Sequence, residues 1–598
     1  MEETLSKREK KNRDVISSMF FSAAIVMIFT QLAGVVANII DGIITSRCLG
    51  EDAFSAISLL IPFVGVIILF GAFLSTGSQV VCSGFVGNGN KKEANGIFTI
   101  TIILGLIISA VFIIACIAIP DLLFKICGVS TDTHPEFYSD MMNYLHGYML
   151  GIPAMILIQI LGPFIVMDND KSLFTISALV LCFSDIIGDL INAFVFHGGV
   201  FGMGVATSIA FFMQLLTVLI HFAKKNNYFK LSFSSVKKKF IFDIGKAGSP
   251  TFINRLATIL RDLFVSRINL SVAIATSAVA ARATQNDLNT LMFCIGMGIG
   301  KTLLSMTGIY FGVNDKKGLK RLFGYSMKFT IIMSSVVGAI LFIVAGLIAR
   351  LYSDNSDVIA LSIFSIRCMA FSLVLDATTV VFQHYLQGIQ NRKLVNLLNI
   401  VERLLIPVAT AFILGHFFGS KGVLASIAVG KLILVIFIFI MITIHRRHIP
   451  KKIEDYMYLP DNFGGDNNDN IYACIRTVNE LVSESKRAES FCIEHGCEKG
   501  KAKYMALFVE EMAGNILQHG KARKKDGAFV DYRLSADNGE ICLILRDYCS
   551  QFDPTAYYNI HNNPKDPFAS FGIRIVTQRA KSINYFNAFN SNNIIIHL

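Results

Sequence analysis

Asp185 and Asp189 stand four residues apart inside an apolar stretch, so a helix places both carboxylates on one face, one turn apart. A third carboxylate, Asp41, interrupts another apolar run near the N-terminus. An ionised carboxylate is costly in hydrocarbon, so such residues face a partner or a wet cavity. Three carboxylates make an oxygen-only donor set, which suits Na⁺ or a proton better than a soft metal ion. Taking up and releasing a cation inside a helix bundle is the chemistry of ion-coupled transport. The alternative is structural: each Asp pairs with a Lys or Arg, or caps a kink.

A second group of charges lies in the apolar stretches of the later half: Arg255, Arg261, Asp262, Arg282, Asp376, Glu402 and Arg403. Arg261–Asp262 and Glu402–Arg403 are sequence neighbours, and neighbours on a helix do not face each other. Ion pairs between helices are therefore the expected role. A third set is quite different. Residues 502–519 read as an amphipathic helix on which Glu511, Asn515 and His519 recur every four residues as one polar stripe. Strand-like runs follow at 528–534, 541–546 and 593–598, and Asp547 ends the middle one.

The elements that position these residues are mostly membrane spans. Hydrophobic residues make up 53% of the chain and charged residues only 16%, far from a soluble protein. Twelve apolar segments are expected: roughly 15–45, 53–78, 96–119, 136–166, 172–196, 200–222, 248–270, 272–311, 325–350, 358–390, 394–415 and 422–445. Lys and Arg crowd alternate loops, from Lys7 to Arg13, at Lys91 and Lys92, Lys224 to Lys239, Lys316 to Arg321, Arg392 and Lys393, and Arg446 to Lys452. The positive-inside rule then puts both termini in the cytoplasm. The net charge of +11 is mostly this topology signal and anionic-lipid contact, not a nucleic-acid surface. Cysteines are scattered with no CxxC pair, so reduced thiols, no disulfide framework and no zinc are expected.

The membrane part reads as two copies of one unit. Gly87, Asn90, Lys91 and Lys92 in one loop match Gly312, Asp315, Lys316 and Lys317 in another at the same offsets. Ser46–Arg47 and Ser266–Arg267 each follow an Asp, Asp41 and Asp262, by a few residues. A parallel six-plus-six repeat implies two lobes about a central cleft. The expected units are a cytoplasmic tail 1–14, an N-lobe 15–222, an inter-lobe loop 223–247, a C-lobe 248–445, a flexible linker 446–470 and a C-terminal domain 471–598.

Thr30, Gln31, Gly34 and Asp41, then Ser46, Arg47, Gly50 and Ala53, resemble the first span of the multidrug and toxic compound extrusion (MATE) family. Asp185, Gly188 and Asp189 followed by Gly202, Gly204, Ala206 and Thr207 resemble its fifth and sixth spans. The resemblance implies a bacterial inner-membrane antiporter with twelve helices, which exports organic cations, drugs or metabolites in exchange for Na⁺ or H⁺. It implies a cation site at Asp41, Asp189, Asp185 and Thr207, with Asp185 departing from the usual Asn. Asp262 and Asp376 become candidates for a C-lobe cation site. In the tail, Glu511, Asn515 and His519 are similar to the N-box of the ATP-binding fold shared by gyrase, histidine kinases and anti-sigma-factor kinases. That likeness implies an α/β sandwich, a Glu511 that activates a nucleophile, Mg²⁺ at Asn515, and nucleotide contacts from Asp547 and Gly572. Cys549, Gln551 and Ser570 replace glycines of the family's boxes, which implies weak Mg-ATP binding with little or no turnover.

Taken together, the expected protein is a secondary antiporter in contact with membrane lipid. It carries a cationic or amphipathic small molecule, and its tail senses nucleotide or binds a regulatory protein. Two rivals stand beside this. A lipid-linked saccharide flippase would use Arg255, Arg261, Arg282 and Arg403 on an anionic cargo. A membrane-bound signalling kinase would need a phosphoacceptor helix, for which residues 448–469 leave little room.

Overall fold

The computed structural model describes residues 16–598 except 17–18, 33–34, 36–39, 41–43, 46–47, 50, 127–134, 225–226, 273–275, 353–355, 461–462, 466–468, 521–527, 538–539, 561–570 and 589–590. Asp41, Ser46, Arg47 and Ser570 therefore lie outside the described residues, as do the side chains of Asp262, Ser266, Arg267 and Arg282.

The first half is helical: α1 (Met19–Leu32), then α2 (Glu51–Gly87), α3 (Lys91–Ala118), α4 (Pro120–Ile126), α5 (Pro135–Tyr148), α6 (Ile152–Met167), α7 (Lys171–Ile191) and α8 (Gly199–Ala223). The second half follows with α9 (Lys238–Val272), α10 (Thr276–Gly312), α11 (Lys316–Tyr352), α12 (Ser356–Gly388), α13 (Arg392–Ile400) and α14 (Ile406–Arg446). Among the described residues nine helical stretches are long and apolar enough to cross a membrane. On α3, Ile107, Val111 and Ile114 form an exposed apolar stripe at helical spacing, which only a lipid surround accommodates. This is a multi-pass membrane protein.

α14 is a hairpin rather than one rod. Gly419 has φ 57° and ψ −141°, outside helical space. The Thr410 hydroxyl reaches the Ser426 carbonyl at 3.4 Å, and a Cβ on Gly430 would lie 3.2 Å from the Ile406 side chain. Residues that far apart in sequence meet only if the chain reverses between them. The reversal falls between the expected segments 394–415 and 422–445.

Helices α2, α3, α5, α6, α7 and α8 pack as one lobe and α9–α14 as the other, with α2 against α9 and α10 as the main seam between them. Glycines allow the backbones to touch at this seam. A Cβ on Gly312 would lie 2.6 Å from the Gly84 carbonyl oxygen, and one on Gly248 2.5 Å from that of Phe73. The lobes are thus closed at the end that carries the Lys91–Lys92 and Lys316–Lys317 loops.

The tail forms a five-stranded antiparallel sheet in the order β1-β2-β3-β5-β4, from β1 (Asn470–Ile475), β2 (Val530–Asp537), β3 (Glu540–Asp547), β4 (Ser582–Ala588) and β5 (Ser591–His597). Helices α15 (Val478–Glu494), α16 (Lys499–His519), α17 (Pro554–Ile560) and α18 (Phe571–Arg579) complete it. Strand alternation splits the sheet. Tyr532, Leu534, Leu543, Leu545, Ile594 and Ile596 pack with Phe491, Met505 and Phe508 of the helices. Ile544, Ile595 and Phe586 instead join the core of the membrane domain.

The segment expected to be a flexible linker is largely packed. Met457, Leu459 and Phe463 are buried, Phe463 stacks on Phe311 at 5.0 Å, and the Tyr385 hydroxyl donates to the Met457 carbonyl at 3.1 Å. Its polar residues read as linker, while its few apolar ones find a groove between helix ends. Strands β1 and β4 escape the sequence reading because their polar–apolar alternation is poor.

Candidate functional site

Asp185 and Asp189 lie on α7, 7% and 0% exposed, while Phe183 and Ile187 on the other face are 61% and 53% exposed. The four-residue spacing therefore works as expected, with both carboxylates turned inward. Gly188 sets the depth: its Cβ position is 3.0 Å from the Ala206 Cβ, so α7 meets α8 one residue from Asp189 and one from Thr207. Thr207 is buried, with its hydroxyl donating to the Met203 carbonyl at 3.2 Å. The structure thus brings Asp185, Asp189 and Thr207 to one seam. Asp41 lies outside the described residues.

Asn192 locks this seam. It opens a π-helical stretch, 192–196, that ends in a left-handed His197 with φ 49°. The Asn192 amide donates to the Gly199 carbonyl at 2.9 Å and accepts from the Gly198 N–H at 3.1 Å. Both helices are thereby held in register around the turn. Sequence reading passes over Asn192, although an amide in an apolar run just before a Gly–Gly pair is a usable signal.

The C-lobe holds a buried ion network. Lys431 on the second limb of α14 bridges the Asp376 carboxylate of α12 and the Glu402 carboxylate, the latter at 2.7 Å. Gln383 donates to the other Glu402 oxygen, and Arg403 lies 3.5 Å from Glu402 and over the Phe293 ring at 5.1 Å. Asp376 and Glu402 are thus joined across helices, as expected of ion pairs within the lobe, whereas the contact between the sequence neighbours Glu402 and Arg403 departs from expectation. Lys431 is the member missed from sequence, although a lone cation in the run 422–445 marks it. At the lobe seam, Lys301 donates to Gln31 at 3.2 Å, while Gln79 donates to the Lys301 carbonyl at 3.2 Å and to the Ser305 hydroxyl.

In the tail, Glu511, Asn515, Asp547 and Gly572 line one cavity of about 710 Å³, with Cys549, Gln551, Phe552 and Tyr557 among its walls. Asn515 and His519 follow Glu511 along α16 as the stripe requires. Asp547 Oδ1 accepts from the Cys549 N–H and from the Asn592 amide, both at 2.8 Å. The Glu511 carboxylate lies directly against Gly572 at the start of α18, where any side chain at that position would collide with it. Carboxylate and amide oxygens beside an apolar, aromatic wall fit a magnesium nucleotide. Of the two described glycine replacements, Cys549 is buried and Gln551 exposed.

A two-lobe, multi-pass bundle with buried carboxylates at a helix seam defines a membrane transporter. The MatE family model matches residues 27–191 and 250–413, one match per lobe. The chain belongs to this family. It is 23% identical over 410 residues to the multidrug export protein MepA of Staphylococcus saprophyticus, covering 67% of this chain and 89% of that protein. It is 25% identical over 403 residues to the multidrug resistance protein NorM of Aliivibrio fischeri, covering 64% of this chain and 82% of that protein. In fold it is similar to a crystal structure of MATE in complex with MaL6, with a TM-score of 0.66 at 20% identity over 71% of this chain and 94% of that one. It is equally similar, at a TM-score of 0.66 and 20% identity over the same shares, to an outward-facing MATE family transporter.

Proposed function

We propose that this protein is a secondary antiporter that exports cationic or amphipathic small molecules in exchange for Na⁺ or H⁺ by alternating access. Twelve crossings with both termini cytoplasmic fit the loop charges. The observation that carries the proposal is the pair Asp185 and Asp189, buried at the α7–α8 seam beside Thr207 in a chain of this family. A cation that enters there must find oxygen donors already dehydrated, so binding it changes the electrostatics of the seam. The two lobe states then differ in their affinity for the cation, which is the only way a ligand can drive a conformational change. The export activity named for the MepA relative supports the direction of transport.

The tail is proposed to be a regulatory domain that binds a nucleotide weakly, with Asn515 and Glu511 near its metal and Asp547 at its base. Bound Mg-ATP would supply a phosphate charge cluster, and this chain's residues only hold and orient it. Support comes from the convergence of all four expected residues on one cavity. The test is transport in proteoliposomes under separately imposed Na⁺ and pH gradients across a panel of organic cations and an anionic lipid-linked sugar. Export of the lipid carrier alone would favour a flippase; no gradient dependence would sink the antiporter.

A further inference from the structure

The face of the tail sheet turned away from its own helices is seated on the tips of both lobes. On the C-lobe, Arg546 pairs with Asp315 at 2.7 Å, both buried. Arg533 donates to the carbonyls of Val313 and Asn314 at 2.6 and 3.0 Å. On the N-lobe, Gly89 holds φ +68°, and its Cβ position lies 2.5 Å from the Asn584 Cβ of β4. These are the two repeat loops, and they lie at the end where the lobes already touch. Alternating access requires the lobes to part there, and a rigid sheet bonded to both tips opposes that.

The repeat itself marks the contact. Asn90 caps α3 by accepting from the Glu93 N–H at 3.3 Å, and Asn391 caps α13 by accepting from the Leu394 N–H at 3.4 Å. The equivalent cap of α11 is Asp315, which accepts from the Gly318 N–H at 2.8 Å. A cap needs only the oxygen, which Asn supplies equally well. The extra charge at Asp315 is used by Arg546. Burial alone would raise the Asp315 carboxyl, but Arg546, Arg533 and the Gly318 N–H hold it below the usual carboxylate range.

The same strands reach the cavity. Arg546 and Asn593 are cross-strand partners, as are Asp547 and Asn592 one residue along. Because strand side chains alternate, the first pair faces the lobes and the second faces the cavity. Asn593 accepts from Arg546 Nε at 3.1 Å, and Asn592 donates to Asp547 at 2.8 Å. A donor brought to Asp547 competes with Asn592, and any shift of β5 there moves the partner of Arg546.

We propose that the tail domain is a brake on lobe separation, held by the Arg546–Asp315 pair and Gly89–Asn584 contact and released when a nucleotide occupies the cavity at Asp547. The second half of this statement rests on the nucleotide reading above; the first half does not.

The test uses the full chain in proteoliposomes with Ser83→Cys as reporter. Ser83 is fully buried at the seam, its hydroxyl against Gly308 of α10, so a thiol there reacts only when the lobes part. Fragment-ion mass spectrometry of the labelled peptides separates it from the native cysteines, including the adjacent Cys82. Asp315→Asn keeps the cap and removes the charge; Arg546→Met removes the partner. Each should raise the labelling rate of the reporter thiol by about tenfold, and the double variant should add nothing further because one contact is lost in all three. Labelling equal to that of the otherwise unaltered reporter protein in both single variants overturns the brake. Millimolar Mg-ATP should raise labelling of the unaltered tail to the Asp315→Asn level and leave Asp315→Asn unchanged. Calorimetry on the same protein keeps the two ideas apart. Heat of binding with no change in labelling overturns the coupling, whereas no heat overturns the nucleotide reading and leaves the brake to be decided by Asp315→Asn.

Discussion

Gly312→Ala should force the lobes apart at their closed end. The added Cβ would lie 2.6 Å from the Gly84 carbonyl oxygen and 3.3 Å from its carbonyl carbon and Cα. Ordinary contact begins at about 3.5 Å, so the seam must open by nearly an ångström. The obstacle is backbone inside a helix, so no side chain can rotate away. Overpacking of this kind costs about 1–3 kcal/mol, and here it falls only on the closed state. The lobe equilibrium should shift about 5–150-fold toward separation. Gly84→Ala is the matched control: its Cβ would meet nothing closer than the Gln390 amide at 3.7 Å. Any gain in helix propensity there acts equally in both states. Spin labels at the exposed positions Lys92 and Lys393 report the separation by double electron–electron resonance. A longer distance population in Gly312→Ala but not in Gly84→Ala is expected. If both variants retain the parent distribution, the glycine seam does not set the conformational equilibrium.

Asp189→Asn keeps the side-chain shape and removes the charge, so gradient-driven export should be lost while the protein remains folded; parental uptake rates in everted vesicles would exclude Asp189 as the coupling site. Lys431→Met leaves Asp376 and Glu402 buried without their shared cation, which should cost about 3–5 kcal/mol of stability by thermal melting in detergent, with Lys431→Arg largely restoring it. An unchanged melt would mean that Arg403 and Gln383 suffice. Truncation after Gly464 should give a monodisperse membrane protein on size-exclusion chromatography, because the packed segment stays. Truncation after His448 uncovers the site of Met457, Leu459 and Phe463, each worth about 1.5–3 kcal/mol, and should aggregate.

Local periodicity is what this sequence states on its own. Apolar runs long enough to span lipid, separated by alternately basic loops, define a multi-pass protein because the bilayer leaves the backbone few other options. The four-residue spacing of Asp185 and Asp189, and of Glu511, Asn515 and His519, holds because helix geometry is fixed before any partner is chosen. The matching loops at Gly87 and Gly312 disclose the repeat for the same reason.

Tertiary structure decided which faces meet. The placement of Lys431 between Asp376 and Glu402 depends on how the two limbs pack after the reversal at Gly419; the sequence marks the break between 415 and 422 but not which side chains then meet. Asn192 matters only because α7 and α8 close around it. Strands β1 and β4 are stabilised by neighbours distant in sequence, so their own weak alternation did not reveal them. The Arg546–Asp315 pair joins residues 231 positions apart, and no local pattern encodes a contact made by docking one folded domain on another.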